Sequence, residues 1–312
     1  MSSKKPCLYL PKLIFHSRQK SNFLLSQDWN LALALKAAGV NVIGRSAAPE
    51  YSMAGTTETA LYGNTSTPWK HGYSAGGSSG GAMAAVVAGL VPIAQGTDIA
   101  GSIRIPASFC GGVGLKPSRG RISFAPMLDE NGYGLAQNFV QTKTVRDAAT
   151  MLDCLAVPQP GDPFLIPRPN QSWAELARHA PPRLRVGFCT APLMGVTPDP
   201  EVAEAVRRIA QGLAANGHAV EEIEPDFDGE VAMRAMQVLW YFGFDARLAG
   251  YAARSGHPVS DQTLEPVTWQ VLQRSRTLTA ADFVAAMARL NTARRQLGQM
   301  FTLCDECSLR NS

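Results

Sequence analysis

The stretch that decides the fold runs from residue 71 to residue 123 and has the sequence HGYSAGGSSGGAMAAVVAGLVPIAQGTDIAGSIRIPASFCGGVGLKPSRGRIS. Glycines stand on both sides of the pair Ser78 and Ser79, so the backbone there must turn tightly or pack closely against another segment. The small residues of 82–90 predict a tightly packed helix, and residues 91–94 predict a short buried strand. A second polar loop, residues 96–104, follows the strand and carries Ser102.

Serines in such loops suggest either nucleophilic catalysis or phosphate binding. A serine hydroxyl is a weak nucleophile and needs a base within hydrogen-bond reach. The histidines show no motif spacing, so a Ser-His-Asp triad has little support, although sequence order alone leaves it open. The histidines are His16, His71, His179, His218 and His257. A phosphate-binding helix N-terminus is the other alternative. The Gly-Lys-Ser/Thr ending of a P-loop does not follow Ser79, which excludes that motif.

Three motifs in this stretch resemble the amidase signature family. They are GGSSGG at 76–81, GTDIAGSIR with its proline at 96–106, and GLKPSRGR at 114–121. The resemblance extends from about residue 28 to about residue 301. It implies an α/β fold in which helices cover both faces of a mixed, twisted sheet, incomplete here at the N- and C-termini.

The resemblance also implies a Ser-Ser-Lys triad. In this family the second serine is the nucleophile, and that role falls on Ser102. The bridging serine, which follows a cis peptide bond, corresponds to Ser78, and Ser79 corresponds to a supporting serine. A serine relay to an uncharged lysine is therefore the catalytic arrangement that we expect.

Other site residues follow from the same resemblance. The oxyanion hole would consist of the backbone N–H groups of Ile99, Ala100, Gly101 and Ser102. The family usually has glycine where Ala100 stands. Asp98 and Arg104 are expected to form an ion pair that holds this loop, and Met53 and Ala54 lie where family members line the substrate pocket.

The base lysine of the family lies in a segment of the type G-x-P-x-x-x-KD, which has no match here. Lys4 and Lys5 are the nearest candidates by spacing, but neither is followed by aspartate; Lys12 and Lys20 are further from the expected position. A lysine at a terminus would stay exposed and protonated, and a protonated lysine cannot act as a base.

The ends of the chain differ from the family pattern as well. We expect an atypical N-terminal segment at 1–27, a partial amidase-signature domain at 28–303 and an atypical tail at 304–312. The tail is polar where the family continues into a strand.

The function predicted from this resemblance is hydrolysis of the C–N bond of a non-peptide carboxamide through a serine acyl-enzyme. One alternative is a catalytically inactive fragment that lacks the base lysine and the C-terminal part, with weak or no turnover. A second alternative is a protein similar to the A subunit of an amidotransferase. The expected partner is a small-molecule amide, and no cofactor is expected. The assembly proposed from the resemblance is a homodimer.

Composition excludes several other classes of function. The 312 residues are 46% hydrophobic and 17% charged, which is typical of a globular protein. A net charge of +4 without a basic run argues against nucleic-acid binding, and no apolar run is long enough for a membrane span. The scattered cysteines indicate reduced thiols and a cytoplasmic location. Cys304 and Cys307 form a C-x-x-C without a second ligand pair, so no metal site is expected.

Helices outside the serine stretch are predicted from periodicity and caps. Residues 31–38 predict a helix capped by Ser26 or Asp28, with Gly39 at its end. Thr144 would begin a helix that ends near residue 155, and Thr279 with Asp282 would begin another that ends near residue 300. Residues 230–248 predict a single apolar helix, and residues 184–188 and 219–223 predict strands around a helix at 199–215.

Overall fold

A computed structural model of the chain describes residues 7–9, 28–193, 197–256 and 258–308. The chain divides into two compact units. The first contains the described residues up to His179 together with Ala246–Leu272, and the second contains Ala180–Asp245 together with the described residues from Gln273 onward. The domain boundaries expected at residues 28 and 303 stay predictions.

Short strands and longer helices alternate along the described chain. The strands are β1 (Cys7–Tyr9), β2 (Asn41–Gly44), β3 (Glu58–Thr59), β4 (Gly63–Asn64), β5 (Ile93–Asp98), β6 (Val113–Gly114), β7 (Gln137–Thr142), β8 (Arg185–Phe188), β9 (Ala219–Glu222) and β10 (Glu306–Ser308). The α-helices are α1 (Asn30–Ala37), α2 (Gly80–Val87), α3 (Arg104–Cys110), α4 (Val145–Leu155), α5 (Trp173–Leu176), α6 (Pro200–Ala215), α7 (Gly229–Tyr241), α8 (Phe244–Ser255), α9 (Pro266–Arg276) and α10 (Ala280–Leu303). A short 3-10 helix covers Glu50–Ser52.

The first unit is built on a mixed sheet with the described strand order β2-β1-β5-β7-β6. Strand β1 is parallel to both β2 and β5, whereas β7 is antiparallel to both β5 and β6. The long pairing of β5 with β7 places Asp98 opposite Gln137 and Ala94 opposite Gln141. Both strands are almost wholly buried, so this pair forms the interior of the sheet, next to the loops that carry Ser78, Ser79 and Ser102.

Apolar side chains from the helices close the core around this sheet. A buried cluster contains Leu35, Ile103, Phe139 and Leu155 among its members, which come from α1, the loop before α3, β7 and α4. Helix α2 is small and apolar and packs on β5 through residues such as Val86 and Ala94. Burial of this kind contributes about 25 cal/mol per Å² of apolar surface and is what holds the short elements together.

The second unit contains a three-stranded parallel sheet of order β10-β8-β9, in which β8 pairs with both neighbours. Helix α7 packs against α10, where the rings of Phe242 and Phe283 stack with their centroids 4.8 Å apart. Arg185 and Asp305 form an exposed ion pair at 2.8 Å beside the sheet. Taken over the residues that are described in both units, no helix combines the length and the apolar character that a bilayer span requires.

Two helix caps predicted from the sequence are confirmed. The Thr144 side chain accepts a hydrogen bond from the Asp147 N–H at the start of α4. Thr279 and Asp282 form a reciprocal capping box at the start of α10, with each side chain accepting from the other residue's backbone N–H. These local bonds satisfy amides that a helix start leaves free, which is why a short sequence pattern identifies them.

Three other predictions about elements are wrong. Trp29, not Asp28, precedes α1 as its N-cap residue, and it makes no side-chain cap; Asp28 accepts a hydrogen bond from Lys36 instead, while Ser26 lies outside the described residues. The single helix expected at 230–248 is broken into α7 and α8, because Gly243 has a φ of 71°. The strand expected at 91–94 starts at Ile93 and continues through the expected loop to Asp98.

Candidate active site

Two loops of the first unit meet at the carboxyl end of β5. One precedes α2 and carries Ser78 and Ser79, and we call it the serine loop; the other precedes α3 and carries Ser102. The backbone N–H of Ser79 donates a hydrogen bond to the carbonyl oxygen of Ser102 at 3.2 Å. Ser78 and Ser79 are buried, whereas Ser102 is only half-buried. The Gly77–Ser78 peptide bond is cis, as the family resemblance implies. The three serines that the sequence predicts as site residues therefore come from two loops joined by a direct backbone bond.

The glycines before and after the serine pair allow backbone-to-backbone packing. A Cβ atom at Gly77 would lie 2.5 Å from the carbonyl carbon and oxygen of Thr56, and one at Gly81 would lie 2.5 Å from the carbonyl oxygen of Ala47. Real Cβ atoms do not approach other atoms this closely. The segment 47–57 therefore packs so closely against the serine loop that only glycine fits at positions 77 and 81.

The side chain of Thr57 joins the segment 47–57 to the serine loop by hydrogen bonds. Its hydroxyl donates to the carbonyl of Gly76 at 2.8 Å and accepts from the N–H of Gly80 at 3.0 Å. Thr57 is fully buried, so both bonds are shielded from water. One side chain thus fixes the backbone on both sides of Ser78 and Ser79.

A buried carboxylate holds the loop that carries Ser102. Asp98 is fully buried, and its Oδ1 accepts from the Gly101 N–H at 2.7 Å, while its Oδ2 accepts from the Ile103 N–H at 3.2 Å and the Arg104 N–H at 3.3 Å. The guanidinium of Arg104 adds two further bonds of 2.9 Å, one to each oxygen. The ion pair expected between Asp98 and Arg104 is confirmed.

The electrostatics of this cluster keep Asp98 charged. Burial alone would raise the pKa of the Asp98 carboxyl. The hydrogen bonds and positive charge of Arg104, with the backbone N–H groups of Gly101 and Ile103, outweigh burial and hold the pKa below its ordinary value. A charged carboxylate that accepts several backbone bonds makes the turn before Ser102 rigid.

The backbone amides of this turn differ in their availability. The Gly101 N–H already donates to Asp98, so it has an acceptor within the protein. Within the described part of the chain, no hydrogen bond is formed by the amides of Ile99, Ala100 and Ser102. Gly101 itself has a φ of 129°, and a Cβ atom there would lie 2.7 Å from the Ile105 side chain. The turn therefore requires glycine at this position.

The segment that carries Met53 and Ala54 lies directly before Thr56, which packs on the serine loop. Both residues are half-buried. The segment is anchored by Glu50, which is 2% exposed and whose Oε2 accepts from the Glu265 N–H at 2.8 Å. The role of Met53 and Ala54 as substrate-pocket residues stays a prediction.

Two polar residues of the site were missed by sequence reasoning. Thr97 donates its backbone N–H to the Ser79 hydroxyl at 3.3 Å, and Gln141 of β7 donates its Nε2–H to the Ser79 carbonyl oxygen at 3.0 Å. Gln141 lies 62 residues after Ser79 in the sequence. Its only sequence signal is that it is polar within a strand of buried residues.

The lysines considered as the base lie in the N-terminal part of the chain. Lys4, Lys5, Lys12 and Lys20 all lie outside the described residues, as do His16 and His257. The described histidines do not bond to Ser102: His71 is exposed, His179 is paired with Glu175, and the His218 Nδ1 accepts from the Leu184 N–H.

The described residues contain no cluster of three or more His, Cys, Asp or Glu side chains that could hold a metal ion. Cys304 is buried, and its Sγ donates to the Met300 carbonyl oxygen at 3.3 Å.

Comparison with known proteins places this geometry in a family. The Amidase family model matches residues 15–306. The 6-aminohexanoate-cyclic-dimer hydrolase of Paenarthrobacter ureafaciens is 37% identical over 279 residues, which are 87% of this chain and 56% of that protein. An acylamidase of Rhodococcus erythropolis is 40% identical over 251 residues, which are 80% of this chain and 50% of that protein. A solved 6-aminohexanoate cyclic dimer hydrolase complexed with substrate superposes with a TM-score of 0.85 at 32% identity, over 96% of this chain and 65% of that one.

The chain belongs to the amidase signature family. The α/β fold predicted from the sequence motifs is confirmed by this membership. The chain spans about half the length of the two curated relatives described above.

Replacement of Gly77 by alanine is expected to disturb the serine loop. The new methyl group would press on the backbone of Thr56, so we expect a loss of about 1–3 kcal/mol in the free energy of unfolding, as for other overpacked sites. Urea unfolding followed by circular dichroism measures this change. Gly55→Ala is the matched control because a Cβ there meets nothing within 4 Å, and its effect should stay within about 0.5 kcal/mol. Equal effects of the two substitutions would contradict the close-packing argument.

Proposed function

We propose that this protein hydrolyses the C–N bond of a small, non-peptide carboxamide through an acyl-enzyme on Ser102. The observation that carries the proposal is the bond from the Ser79 N–H to the Ser102 carbonyl oxygen, which joins the serine loop to the loop that carries Ser102. Membership of the amidase signature family and similarity to a cyclic-dimer hydrolase and an acylamidase support the same chemistry.

In the proposed reaction, the Ser102 hydroxyl oxygen attacks the carbonyl carbon of the amide. Its proton passes to Ser78, and the proton of Ser78 passes to an uncharged lysine. The tetrahedral intermediate collapses as the C–N bond breaks, and the leaving amine takes up the proton. Water then attacks the acyl-enzyme, which releases the carboxylic acid and restores Ser102.

The oxyanion of the intermediate needs backbone donors close to Ser102. The amides of Ile99, Ala100 and Ser102 are the candidates, since the Gly101 N–H is directed to Asp98. In this proposal Gly101 shapes the turn, while Asp98 and Arg104 keep it rigid. Ser79 supports the arrangement through its backbone bond to Ser102, and Met53 and Ala54 line the substrate pocket.

The direction of the strands ranks the candidate lysines. Strand β1 is parallel to β5, and Tyr9 at its end lies opposite Ala94. Strand β5 continues toward Asp98 and Ser102 beyond that point. Lys4 and Lys5 precede β1 in sequence, whereas Lys12 and Lys20 follow it, and Lys12 is the nearer of these two to its end. We therefore rank Lys12 first as the base to be tested.

The proposal is tested by turnover and by covalent labelling of the full chain. Purified protein is assayed against small aliphatic and aromatic amides, and a fluorophosphonate probe is mapped to its residue by peptide mass spectrometry. We expect amide turnover and labelling at Ser102. The variants Lys4→Ala, Lys5→Ala, Lys12→Ala and Lys20→Ala are assayed in parallel, and loss of turnover in one of them would identify the base. Labelling at another serine, or a folded chain without turnover or labelling, would refute the proposed function.

A further inference from the structure

Gln141 is a fully buried glutamine on strand β7 of the first unit, which pairs with the central strand β5. Its Nε2–H donates to the carbonyl oxygen of Ser79 at 3.0 Å. Its Oε1 is buried and forms no hydrogen bond with any described group. The side chain therefore has one partner in the described structure, and that partner belongs to the serine loop.

The space around Gln141 is shaped for this contact. A Cβ atom at Gly96 would lie 3.0 Å from the Gln141 Nε2 and 3.0 Å from the Ser79 Oγ. Glycine at position 96 therefore leaves room in which the amide of Gln141 and the hydroxyl of Ser79 lie close together. Ser79 links Gln141 to the nucleophile loop, because the Ser79 N–H donates to the carbonyl of Ser102 at 3.2 Å.

Packing alone does not explain a glutamine at this position. An apolar side chain of similar length would fill the same volume without burying an amide oxygen that lacks a donor, and a buried polar group of that kind is unfavourable. Exceptions to this rule are expected at functional sites, where a specific bond is needed.

We propose that Gln141 is a positioning residue of the active site, which rests on the proposed amidase function. Its amide N–H holds the Ser79 carbonyl together with the Met83 backbone N–H, which donates to the same oxygen at 3.2 Å. Through the Ser79 N–H, this contact positions the backbone of the nucleophile Ser102. It does not contact the substrate. Gln141 affects the rate of attack by Ser102, so removal of its amide should lower kcat and leave KM nearly unchanged.

The test uses Gln141→Met, which keeps the length of the side chain and removes the donor. Gln137→Met is the matched control: Gln137 lies on the same strand, is 2% exposed, has an Oε1 without a described partner, and donates its Nε2–H to the Ala136 carbonyl instead of to the serine loop. We expect Gln141→Met to lower kcat and the fluorophosphonate labelling rate about 10-fold, with KM within about twofold, and Gln137→Met to stay within about twofold for each.

A third variant, Gln141→Glu, tests the donor directly. A protonated carboxyl can donate to the Ser79 carbonyl, whereas a carboxylate cannot, and burial raises the pKa of a carboxyl. The ratio of the variant rate to the wild-type rate should therefore rise as the pH is lowered. The Gln141→Met ratio should not change with pH. A flat ratio for Gln141→Glu, or equal losses in Gln141→Met and Gln137→Met, would reduce Gln141 to a packing residue and overturn the proposal.

Hydrogen exchange separates this proposal from the proposed function. Peptides that contain Ser79 are followed by mass spectrometry in the wild type, Gln141→Met and Gln137→Met. Faster exchange at Ser79 in Gln141→Met alone supports the positioning contact even if the wild type neither turns over amides nor reacts with the probe. Unchanged exchange in Gln141→Met would overturn the positioning role whatever the activity.

Discussion

Replacement of Ser102 by alanine is expected to abolish both amide turnover and fluorophosphonate labelling, with a loss of about 10³-fold or more in kcat. The hydroxyl of Ser102 forms no hydrogen bond with the described residues, and the side chain is half-buried. Its removal should therefore change the free energy of unfolding by less than about 1 kcal/mol. Steady-state kinetics and urea unfolding of the same preparation separate the catalytic effect from a folding defect.

The control for this substitution is Ser108→Ala. Ser108 is an exposed serine of α3 and lies six residues after Ser102. We expect this variant to keep wild-type turnover and labelling. If labelling survived in Ser102→Ala, the assignment of the nucleophile would be wrong and Ser78 would become the first alternative.

Replacement of Asp98 by alanine is expected to have the largest effect on stability. It removes the acceptor of three backbone amides and of two bonds from the guanidinium of Arg104. Breaking a buried pair from one side costs about 3 kcal/mol or more, and we expect the lower value because Arg104 is one-third exposed. Serine labelling should be lost as well, since Gly101 and Ile103 on each side of Ser102 lose their anchor. Urea unfolding measures the stability change.

A surface pair provides the matched control for Asp98. Arg234 and Glu230 lie 3.3 Å apart on α7, and both side chains are more than 60% exposed. Solvent screens such pairs, so Glu230→Gln should change the free energy of unfolding by about 0.5 kcal/mol at most. A similar loss in both variants would contradict the view that burial makes the Asp98 pair important.

The stability that Asp98 provides should also depend on pH. Its pKa is lower in the folded protein than the unfolded value of about 3.9, so the unfolded chain binds the proton more readily. The contribution is complete above the unfolded pKa and is lost as the pH falls through the folded pKa. The difference in unfolding free energy between the wild type and Asp98→Asn should be constant above about pH 5 and shrink below about pH 4. A difference that grows on acidification would contradict the lowered pKa.

The parts of the fold that could be predicted from the sequence are those with local causes. Helix α4 has a cap at Thr144 and a regular apolar period, and both operate within a few residues of each other. Strand β1 was missed because three residues form a strand only when β2 and β5 lie on both sides of it. The break at Gly243 was missed because a glycine within an apolar helix pattern does not by itself reveal its φ.

The candidate site divides in the same way. Ser78, Ser79, Asp98 and Ser102 could be proposed as site residues because they lie within short sequence motifs, and their catalytic roles stay predictions. The role of Thr57 could not be predicted, since its partners Gly76 and Gly80 are 19 and 23 residues away. Gln141 is further still, and only the antiparallel register of β5 and β7 brings it to Ser79.

The glycines of the serine loop also constrain how this sequence can drift over evolutionary time. At Gly77 and Gly81 the obstructing atoms belong to the main chain of Thr56 and Ala47, so no exchange of a neighbouring side chain can make room for a larger residue. Gly112 is different, because there the nearest obstruction is the flexible end of Met83. A smaller residue at position 83 would remove the two closest contacts at Gly112 and leave the Thr142 carbonyl oxygen at 3.2 Å, whereas at Gly77 and Gly81 no second substitution removes the close main-chain atoms.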